Sequence, residues 1–571
     1  MRLPAAIGVL AISTMTLLSA QLPGDRPAGN PRGTRSPVLA RNGVIATSHP
    51  LASAAGLQVM QEGGNAIDAA VTAAAVLAVV EPTMTGIGGD VFALVYDAKS
   101  RQLRALNSSG RAGARADADM LVANGNKVMP GSGPYPVTVP GALAGWAELL
   151  EKHGTVTLAR ALAPAIRYAR DGYAVTEIIA DQWQDAEKKL SQDAAAAAVF
   201  LPGGRAPRHG DVFRNPDLAK TMEAVARGGR DLFYRGEIGQ AIAAHLQARG
   251  GFVTAQDMAN HRADWVEPIG TNYRGYDVYE MPPNTQGFVA LQMLNILEGF
   301  DIEPLGHNSA AYLHLLAEAK RIGFADRAAY LADPDHVPAH VLKALISKEY
   351  AAARRKEIDP ARAAGGYEAG TFPGATSSPD PDAFFDGRDR GDTIYLAAAD
   401  GQGNAISFIN SLFATFGSGV VVPGTGIVLH NRGSGFTLQK GHPNRLAPGK
   451  RPFHTLVPAF IMKDGRPLMP FGVMGGDNQA QAHVQVVVNL VDFGMNVQDA
   501  GDAARVRHGG DSLMAESGIG ADVRASLARM GHSIRDGRGA MGGYQAVFID
   551  PKTGVLMGGS DPRKDGLAIG W

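Results

Sequence analysis

The order of hydrophobic and polar positions along the chain predicts helices and strands in alternation. Apolar residues three and four positions apart predict helices at 51–62, 66–80, 141–152, 158–171, 238–248, 286–298, 310–331, 479–492 and 522–530. Short apolar runs between turn residues predict strands at 91–96, 276–279, 393–399, 405–411, 459–462 and 546–549. This mixture indicates an α/β fold in which helices cover sheets, and it does not fit a barrel or a solenoid.

The helix predicted at 66–80 is apolar on nearly every side, so we expect it to lie buried at the centre of the fold. Asn65 is placed to cap its N-terminus, with Asp68 three residues further on. Glu81 and Pro82 end the apolar run, which sets the C-terminal limit of the helix.

A long polar segment, 355–392, ends where a strand-like run begins at Thr393. The segment is rich in Gly, Pro, Asp and Ala, as flexible linkers are. A threonine that opens a strand is usually only a good strand former. The same arrangement suits a precursor that cleaves itself between Asp392 and Thr393. The new N-terminal threonine would then carry a hydroxyl nucleophile and an α-amine that acts as its base.

Composition excludes several classes of protein. At 571 residues the chain is too long for one simple core. A formal net charge of −1, without long runs of like charge, argues against nucleic acid as a partner. The absence of cysteine excludes disulfides, thiol nucleophiles and zinc–thiolate sites. The 15 histidines lack paired ligand spacing, and the glycine pairs at 417–419 and 424–426 do not open a βαβ helix. We therefore expect neither a metal nor another cofactor.

Residues 1–20 have the pattern of an export signal. Arg2 supplies a short positive region, and residues 5–20 are almost all apolar or small before the chain turns polar. This segment is too short to span a bilayer. We expect an exported protein, periplasmic or secreted, with no membrane insertion after signal removal and with a flexible lead at 21–40.

Short motifs follow one another in a specific order and spacing from about residue 40 onward. They are Gly63-Gly-Asn-Ala-Ile-Asp-Ala-Ala70, Pro82-Thr-Met-Thr-Gly-Ile-Gly-Gly-Asp90, Val137-Thr-Val-Pro-Gly-Ala142, Pro282-Pro-Asn-Thr-Gln-Gly287, Phe324-Ala-Asp-Arg327, Gly449-Lys-Arg-Pro452, Met474-Gly-Gly476 and Gly559-Ser-Asp-Pro-Arg563. On these residues the chain resembles the γ-glutamyltransferase (glutathione hydrolase) family of N-terminal-nucleophile hydrolases.

The resemblance implies a four-layer αββα sandwich made from a cleaved precursor. A large chain, 41–392 with its linker at 355–392, would stay bound to a small catalytic chain, 393–571. The implied substrate is a small-molecule amide, hydrolysed or transferred to an acceptor through a threonine acyl-enzyme. Thr393 would act as nucleophile first on its own Asp392 carbonyl and then on the substrate. A new α-amine has a pKa near ~8, so it can take the hydroxyl proton at neutral pH.

The resemblance assigns further catalytic groups. Gly475 and Gly476 match the family's oxyanion donors, although a glycine pair is most often an ordinary tight turn. Ser411, eighteen residues after the nucleophile, matches a hydroxyl that positions the threonine amine. Phe413 stands where the family has an asparagine.

The acyl-binding residues depart from the family. The family holds an α-ammonium with an amide and a carboxylate, whereas this chain has Arg432 and Gly435 at those positions, and 430–436 contains no Asp or Glu. At ~4 Å and an effective dielectric of about 20, repulsion between two cations costs roughly 4 kcal/mol. His454 and Thr455 replace a serine pair. The family's carboxylate-binding arginine aligns with Ser109, while Arg111 follows two residues later.

These departures predict an acyl group that has a free carboxylate and no α-amine, such as glutaryl or a short dicarboxylic monoamide. They resemble the acylase-type branch, which includes cephalosporin-acylase-like and oxamate-amidohydrolase-like members. The alternatives for the individual residues are a salt-bridged arginine at 432 and a hydrogen-bonded core histidine at 454.

Three functions remain open from the sequence. The first is a γ-glutamyl amidohydrolase of the glutathione hydrolase type, and the second is an acylase with a glutaryl or dicarboxylic preference. The third is an exported binding protein that is never processed. Thr393, Ser411, Gly475 and Gly476 argue against the third, because a binding protein needs none of this machinery.

Overall fold

The computed structural model describes residues 35–375, 391–537, 539 and 541–571. The predicted export signal, most of the predicted lead and residues 376–390 of the linker lie outside the described residues. Within the described ranges, no helix has both the length and the apolar character needed to cross a membrane.

Two seven-stranded antiparallel sheets form the centre of the fold. In the first sheet the strands follow the order β1 (Val38–Ala40), β20 (Leu556–Ser560), β19 (Tyr544–Ile549), β15 (Arg466–Val473), β14 (Ala459–Lys463), β9 (Tyr276–Glu280) and β8 (Ile269–Tyr273). In the second the order is β21 (Leu567–Gly570), β2 (Gly43–Thr47), β10 (Gly391–Asp400), β11 (Ala405–Ala414), β3 (Asp90–Asp97), β4 (Gln102–Ser108) and β7 (Asp264–Val266). Strand β1 lies inside the segment predicted as a flexible lead.

Three smaller sheets complete the strands of the described ranges. Their strands are β5 (Tyr173–Ala174), β6 (Val212–Phe213), β12 (Val421–Val422), β13 (Ile427–Val428), β16 (Val506–Gly509), β17 (Ser512–Ala515) and β18 (Ser533–Asp536).

Helices surround the two large sheets. They are α1 (Pro50–Gln61), α2 (Ala66–Val80), α3 (Ala118–Ala123), α4 (Ala142–His153), α5 (Leu158–Asp171), α6 (Glu177–Leu190), α7 (Ala194–Phe200), α8 (Pro216–Tyr234), α9 (Glu237–Ala248), α10 (Ala255–Asn260), α11 (Gly287–Leu297), α12 (Ala310–Tyr330), α13 (Ala339–Leu345), α14 (Lys348–Arg355), α15 (Asn478–Val491), α16 (Val497–Asp502) and α17 (Ala521–Arg529).

Three apolar layers hold the sheets and helices together. One lies between the two sheets and includes Phe92, Tyr395 and Phe460. A second joins the outer face of the second sheet to α1, α2, α4 and α5, and a third joins the first sheet to α11, α12 and α15. The order helix–sheet–sheet–helix confirms the predicted four-layer αββα sandwich.

Helix α2 has the predicted bounds, and all of its side chains are buried. Asn65 Oδ1 accepts hydrogen bonds from the amides of Ile67 and Asp68, while Asp68 Oδ2 accepts one from the Asn65 amide. The predicted N-terminal cap is therefore confirmed as a reciprocal capping box. Asp400, at the end of β10, accepts a hydrogen bond from the Ala66 amide at 2.9 Å, which fixes this helix against the strand that carries Thr393.

Candidate active site

Three neighbouring strands place Thr393, Ser411 and Asp90 side by side in the second sheet. Ser411 on β11 is the register partner of Asp90 on β3, so their side chains project from the same face. The hydroxyl oxygens of Thr393 and Ser411 are 3.1 Å apart, and both side chains are buried. The structure thus brings together the predicted nucleophile and the predicted second hydroxyl.

The strand pairing is irregular at Thr393. Asp392 pairs with Phe413, but Ile394 pairs with Asn410, so two residues of β11 stand opposite Thr393. The Leu412 amide donates instead to the Met84 carbonyl at 2.9 Å. The bulge therefore interrupts the regular pairing of β10 with β11 beside the predicted cleavage bond, Asp392–Thr393.

Gly475 and Gly476 form a tight turn between β15 and α15. Their φ angles of 128° and 57° lie in the left-handed half of conformational space, where glycine is favoured. Their carbonyls accept from the amides of Asn478 and Gln479 at 3.0 and 3.2 Å. Within the part of the chain that the structure describes, neither glycine amide has a protein acceptor. Both amides are therefore available as donors.

Arg432 is buried in a short 3₁₀ turn, Arg432–Gly435. Its Nη1 donates to the Thr455 hydroxyl at 3.1 Å, and its guanidinium carbon lies 4.0 Å above the ring of Phe413. Its Nη2 has no hydrogen-bond acceptor among the described residues. Burial lowers the pKa of Arg432 to about 9, against an opposing effect of Asp90, so the guanidinium stays charged at neutral pH.

Asp90 is a fully buried carboxylate between two histidines. Its Oδ1 accepts from the amides of Gly110 and Gly141, at 3.0 and 3.2 Å. Its Oδ2 lies 3.1 Å from His454 Nε2 and 3.1 Å from His430 Nδ1, the latter contact being poorly aligned for a hydrogen bond and therefore mainly electrostatic. Burial raises the pKa of Asp90, but the electrostatic effect of His430 and the contact with His454 outweigh it and hold the pKa below its ordinary value.

The ionised Asp90 determines which ring nitrogen of His454 carries the hydrogen. Burial, reinforced by nearby Arg432, lowers the pKa of His454 to about 3 although Asp90 opposes this change, so the ring is neutral. Since Nε2 faces a carboxylate, it carries the ring hydrogen, and Nδ1 keeps its lone pair. That lone pair has no donor among the described residues. The sequence analysis did not assign a role to Asp90, although its motif was noted.

Arg111 lies in a different environment from Arg432. Its Nη1 is 3.3 Å from Asp333 and 3.1 Å from the Gly449 carbonyl, and the side chain is 41% exposed. The arginine that contacts Ser109 is Arg451, whose Nε donates to the Ser109 carbonyl at 3.1 Å and whose Nη2 pairs with Asp264 at 2.8 Å. A substrate role for Arg111 stays a prediction.

One group of the described residues, His314, Glu318 and His532, has three ligand-type atoms within 4.8 Å of one another. The two histidines are already joined at 2.8 Å. The Glu318 carboxylate accepts from Arg321, Tyr367 and the Ala364 amide. Because these groups satisfy one another and include a cationic partner, we interpret the cluster as a hydrogen-bond network between α12 and the region before β18.

Comparisons with known proteins identify the family of the chain. The family model described as gamma-glutamyltranspeptidase matches residues 52–571. The chain is 38% identical over 546 residues to the glutathione hydrolase-like YwrD proenzyme of Bacillus subtilis (strain 168), covering 93% of this chain and 99% of that protein. It is 36% identical over 545 residues to the acylase ACY 1 proenzyme of Pseudomonas sp. (strain SE83), covering 94% of each.

A solved structure gives the same result. The crystal structure of cephalosporin acylase from Bacillus halodurans aligns with a TM-score of 0.88 and 43% identity, over 96% of this chain and 99% of that one. The chain therefore belongs to the gamma-glutamyltranspeptidase family and is an N-terminal-nucleophile amidohydrolase of that family.

Proposed function

We propose that the chain is a self-processing amidohydrolase whose nucleophile is Thr393 and whose substrates carry an acyl group ending in a carboxylate. In the first step the Thr393 hydroxyl attacks the Asp392 carbonyl carbon, and the peptide C–N bond breaks as an ester forms. The hydroxyl proton passes to the departing nitrogen, which becomes the free Thr393 α-amine. Water then hydrolyses the ester, which frees the Asp392 carboxylate and restores the Thr393 hydroxyl. The Thr393–Ser411 contact and the bulge at the cleavage bond support this step.

The same hydroxyl then acts on the substrate. The neutral α-amine takes the hydroxyl proton as Thr393 attacks the substrate carbonyl, and the proton passes to the departing amine. An acyl ester on Thr393 remains until water hydrolyses it. The amides of Gly475 and Gly476, which have no acceptor among the described residues, are suited to stabilise the tetrahedral oxyanion, at roughly 3 kcal/mol for each donor.

The buried guanidinium of Arg432 is the observation that carries the acyl preference. Its Nη2 lacks an acceptor among the described residues, and an unpaired buried cation is costly. The nearby carboxylate of Asp90 is already held by two backbone amides and two histidines. A carboxylate on the acyl group would supply the missing acceptor through a charge-assisted hydrogen bond.

Gly435 stands where the family has a carboxylate side chain, and no side chain fits at this position without a local shift of the backbone. A Cβ placed on Gly435 would lie 2.7 Å from the Phe453 carbonyl oxygen. An α-ammonium beside Arg432 would therefore have no carboxylate partner from the turn Arg432–Gly435. For this reason we favour glutaryl and related dicarboxylic monoamides over γ-glutamyl amides.

Hydrolysis of γ-glutamyl compounds is the second candidate function. A γ-glutamyl group has an α-carboxylate that can pair with Arg432, and one relative is named a glutathione hydrolase-like proenzyme. The two candidates differ in one ammonium group, which makes them separable with a matched pair of substrates.

The experiment compares wild type with Thr393→Ala by intact mass, with Thr553→Ala as a control for a threonine elsewhere in 393–571. We expect wild type and Thr553→Ala to split into two chains, the smaller of roughly 19 kDa in proportion to its length, and Thr393→Ala to stay whole. The processed enzyme is then assayed with glutaryl-4-nitroanilide and γ-glutamyl-4-nitroanilide. If the wild-type chain stays uncleaved, the proposed mechanism is overturned. If the γ-glutamyl amide is turned over faster than the glutaryl amide, the acyl preference is overturned.

A further inference from the structure

The glycine turn that would stabilise the oxyanion has little conformational preference of its own. Gly475 and Gly476 are the residues with the widest choice of backbone conformation, and their φ angles of 128° and 57° are adjacent and positive. Amides that stabilise a developing charge must be oriented in advance, because reorienting them during the reaction would cost free energy. Groups outside the turn must therefore hold it.

Gln286 provides the first of these contacts. Its side chain is fully buried, and its Nε2 donates to the Gly476 carbonyl at 3.1 Å and to the Thr455 carbonyl at 2.9 Å. Its Oε1 accepts from Arg327 Nη1 at 2.7 Å. Both amide hydrogens and the amide oxygen are used. The partners also fix the orientation of the amide, because a guanidinium only donates and carbonyls only accept.

Arg327 extends the contact to the next residue. The same Nη1 pairs with Asp477 Oδ1 at 2.5 Å, and the guanidinium lies 3.9 Å above the ring of Phe324. Gly476 and Asp477 are thus held by one connected pair of buried side chains. The Gly475 side of the turn packs against Gly542, whose Cα would be 3.1 Å from a Cβ at 475.

The Thr455 carbonyl links the turn to the acyl-binding residues. The hydroxyl of the same residue accepts from Arg432 Nη1 at 3.1 Å. The Gln286 backbone amide also donates to the His454 carbonyl at 3.1 Å. Gln286 therefore contacts both the His454–Thr455 segment, which would bind the acyl group, and the glycine turn, which would bind the oxyanion.

We propose that Gln286, oriented by Arg327, is a positioning residue that aligns the glycine turn with the acyl-binding segment. This inference rests on the proposed function for the role of the turn. Gln286 and Arg327 precede the predicted cleavage bond, whereas Thr455, Gly476 and Asp477 follow it. After processing, the large chain would orient the oxyanion donors of the small chain.

The test uses Gln286→Glu, which keeps the shape and the Arg327 contact but turns a carboxylate oxygen toward two carbonyls. Gln485→Glu is the matched control, because Gln485 is also buried and its Nε2 donates to two backbone carbonyls, those of Gln481 and Val506. Both variants lose the same kind of contact, but Gln485 touches neither the turn nor Thr455 in its described hydrogen bonds.

We expect kcat of processed Gln286→Glu to fall about 10- to 100-fold while KM changes less than about threefold, since misaligned oxyanion donors act on the transition state. Self-cleavage, which needs no added substrate, is timed by intact mass and should slow as well. Inhibition gives an independent readout. The inhibition constant of 4-boronobutanoic acid, whose adduct resembles the tetrahedral intermediate, should rise with the loss of kcat, while that of glutarate should stay within about threefold.

If Gln286→Glu and Gln485→Glu lose the same amount of kcat, the loss comes from general destabilisation of the fold, and the proposal is overturned. Unchanged kcat and boronate inhibition in a folded Gln286→Glu would overturn it as well. If that variant does not fold, Gln286→Met and Arg327→Lys are measured in its place against the same criteria. If wild type cleaves itself but ignores the glutaryl amide, the acyl preference fails, and the comparison is made on self-cleavage and on the γ-glutamyl amide.

Discussion

The guanidinium of Arg432 lies 4.0 Å above the ring of Phe413, and Phe413 is the register partner of Asp392, the residue before the predicted nucleophile. An aromatic face stabilises a cation in a site shielded from water. Phe413, which stands where the resemblance has an asparagine, therefore supports Arg432, which stands where the resemblance has an amide side chain. The two departures contact each other, and one of them is a buried cation.

Replacing this cation should separate acyl recognition from self-cleavage. For Arg432→Met we expect kcat/KM on glutaryl-4-nitroanilide to fall about 100-fold, because a charge-assisted contact to the substrate carboxylate is lost. Self-cleavage should proceed, since its acyl group is part of the chain. The measurement combines steady-state kinetics with intact mass.

Arg111→Met is the comparison for that variant. Arg111 is half-exposed and pairs with Asp333, so its removal should change kcat/KM by less than about threefold if its role is an exposed ion pair. A large loss in Arg111→Met with little loss in Arg432→Met would exchange the roles of the two arginines.

The pH dependence of the acyl preference provides a second prediction. Burial lowers the pKa of Arg432, but a guanidinium keeps its charge throughout the pH range in which the enzyme is assayed. The carboxylate of the substrate loses its charge as pH falls through roughly 4.3, the ordinary value for a glutamyl-type carboxyl. We expect KM for glutaryl-4-nitroanilide to rise as pH falls through that value, while KM for butyryl-4-nitroanilide, which has no carboxylate, stays flat. Parallel profiles for the two amides would contradict a charged Arg432–carboxylate contact.

The sequence predicted those parts of the fold that depend on local pattern. Helix α2 is confirmed at both ends because an apolar run and a capping pair mark it. Helix α8 was missed, and it contains Gly228 and Gly229, the second of which has a φ of 68° that interrupts the helical backbone. A glycine pair within a charged segment looks like a loop until tertiary packing is known.

The site was predicted less completely than the fold. The resemblance assigned Ser411 a role beside Thr393, and the structure places the two hydroxyls 3.1 Å apart because strands β10 and β11 are adjacent. Asp90 was not assigned a role, because its partner His454 is 364 residues away along the chain. No periodicity or spacing rule connects positions so far apart, and only the tertiary fold brings them together.

His454 should make the chain less stable in mild acid. Its pKa is about 3 in the folded chain and near 6.5 in the unfolded one, so between these values the unfolded chain binds the additional proton. The stabilising contribution is complete above pH 6.5 and is lost as pH falls toward 3. In uncleaved Thr393→Ala, adding His454→Gln should reduce the slope of unfolding free energy against pH by about 1 kcal/mol per pH unit near pH 5.5.

His261→Gln in the same background is the positive control for that slope. Burial lowers the pKa of His261 to about 4, so its removal should reduce the slope in the same window. Urea unfolding at pH 5, 5.5 and 6 measures both. A slope that changes for His261→Gln but not for His454→Gln would mean that His454 is protonated in the folded chain.

The strain at Gly475 predicts a selective loss of catalysis. Alanine at this position would combine a φ of 128° with a Cβ only 3.1 Å from the Cα of Gly542, so the turn must move. Gly465→Ala is a matched control, because Gly465 also has a positive φ, 71°, but no atom within 4 Å of the added Cβ. We expect Gly475→Ala to lose at least about 100-fold in kcat, as for loss of one oxyanion donor, with Gly465→Ala within about threefold of wild type. Circular dichroism verifies that both variants are folded. If Gly475→Ala is folded and retains full kcat, its amide is not an oxyanion donor, and the turn serves only to begin helix α15.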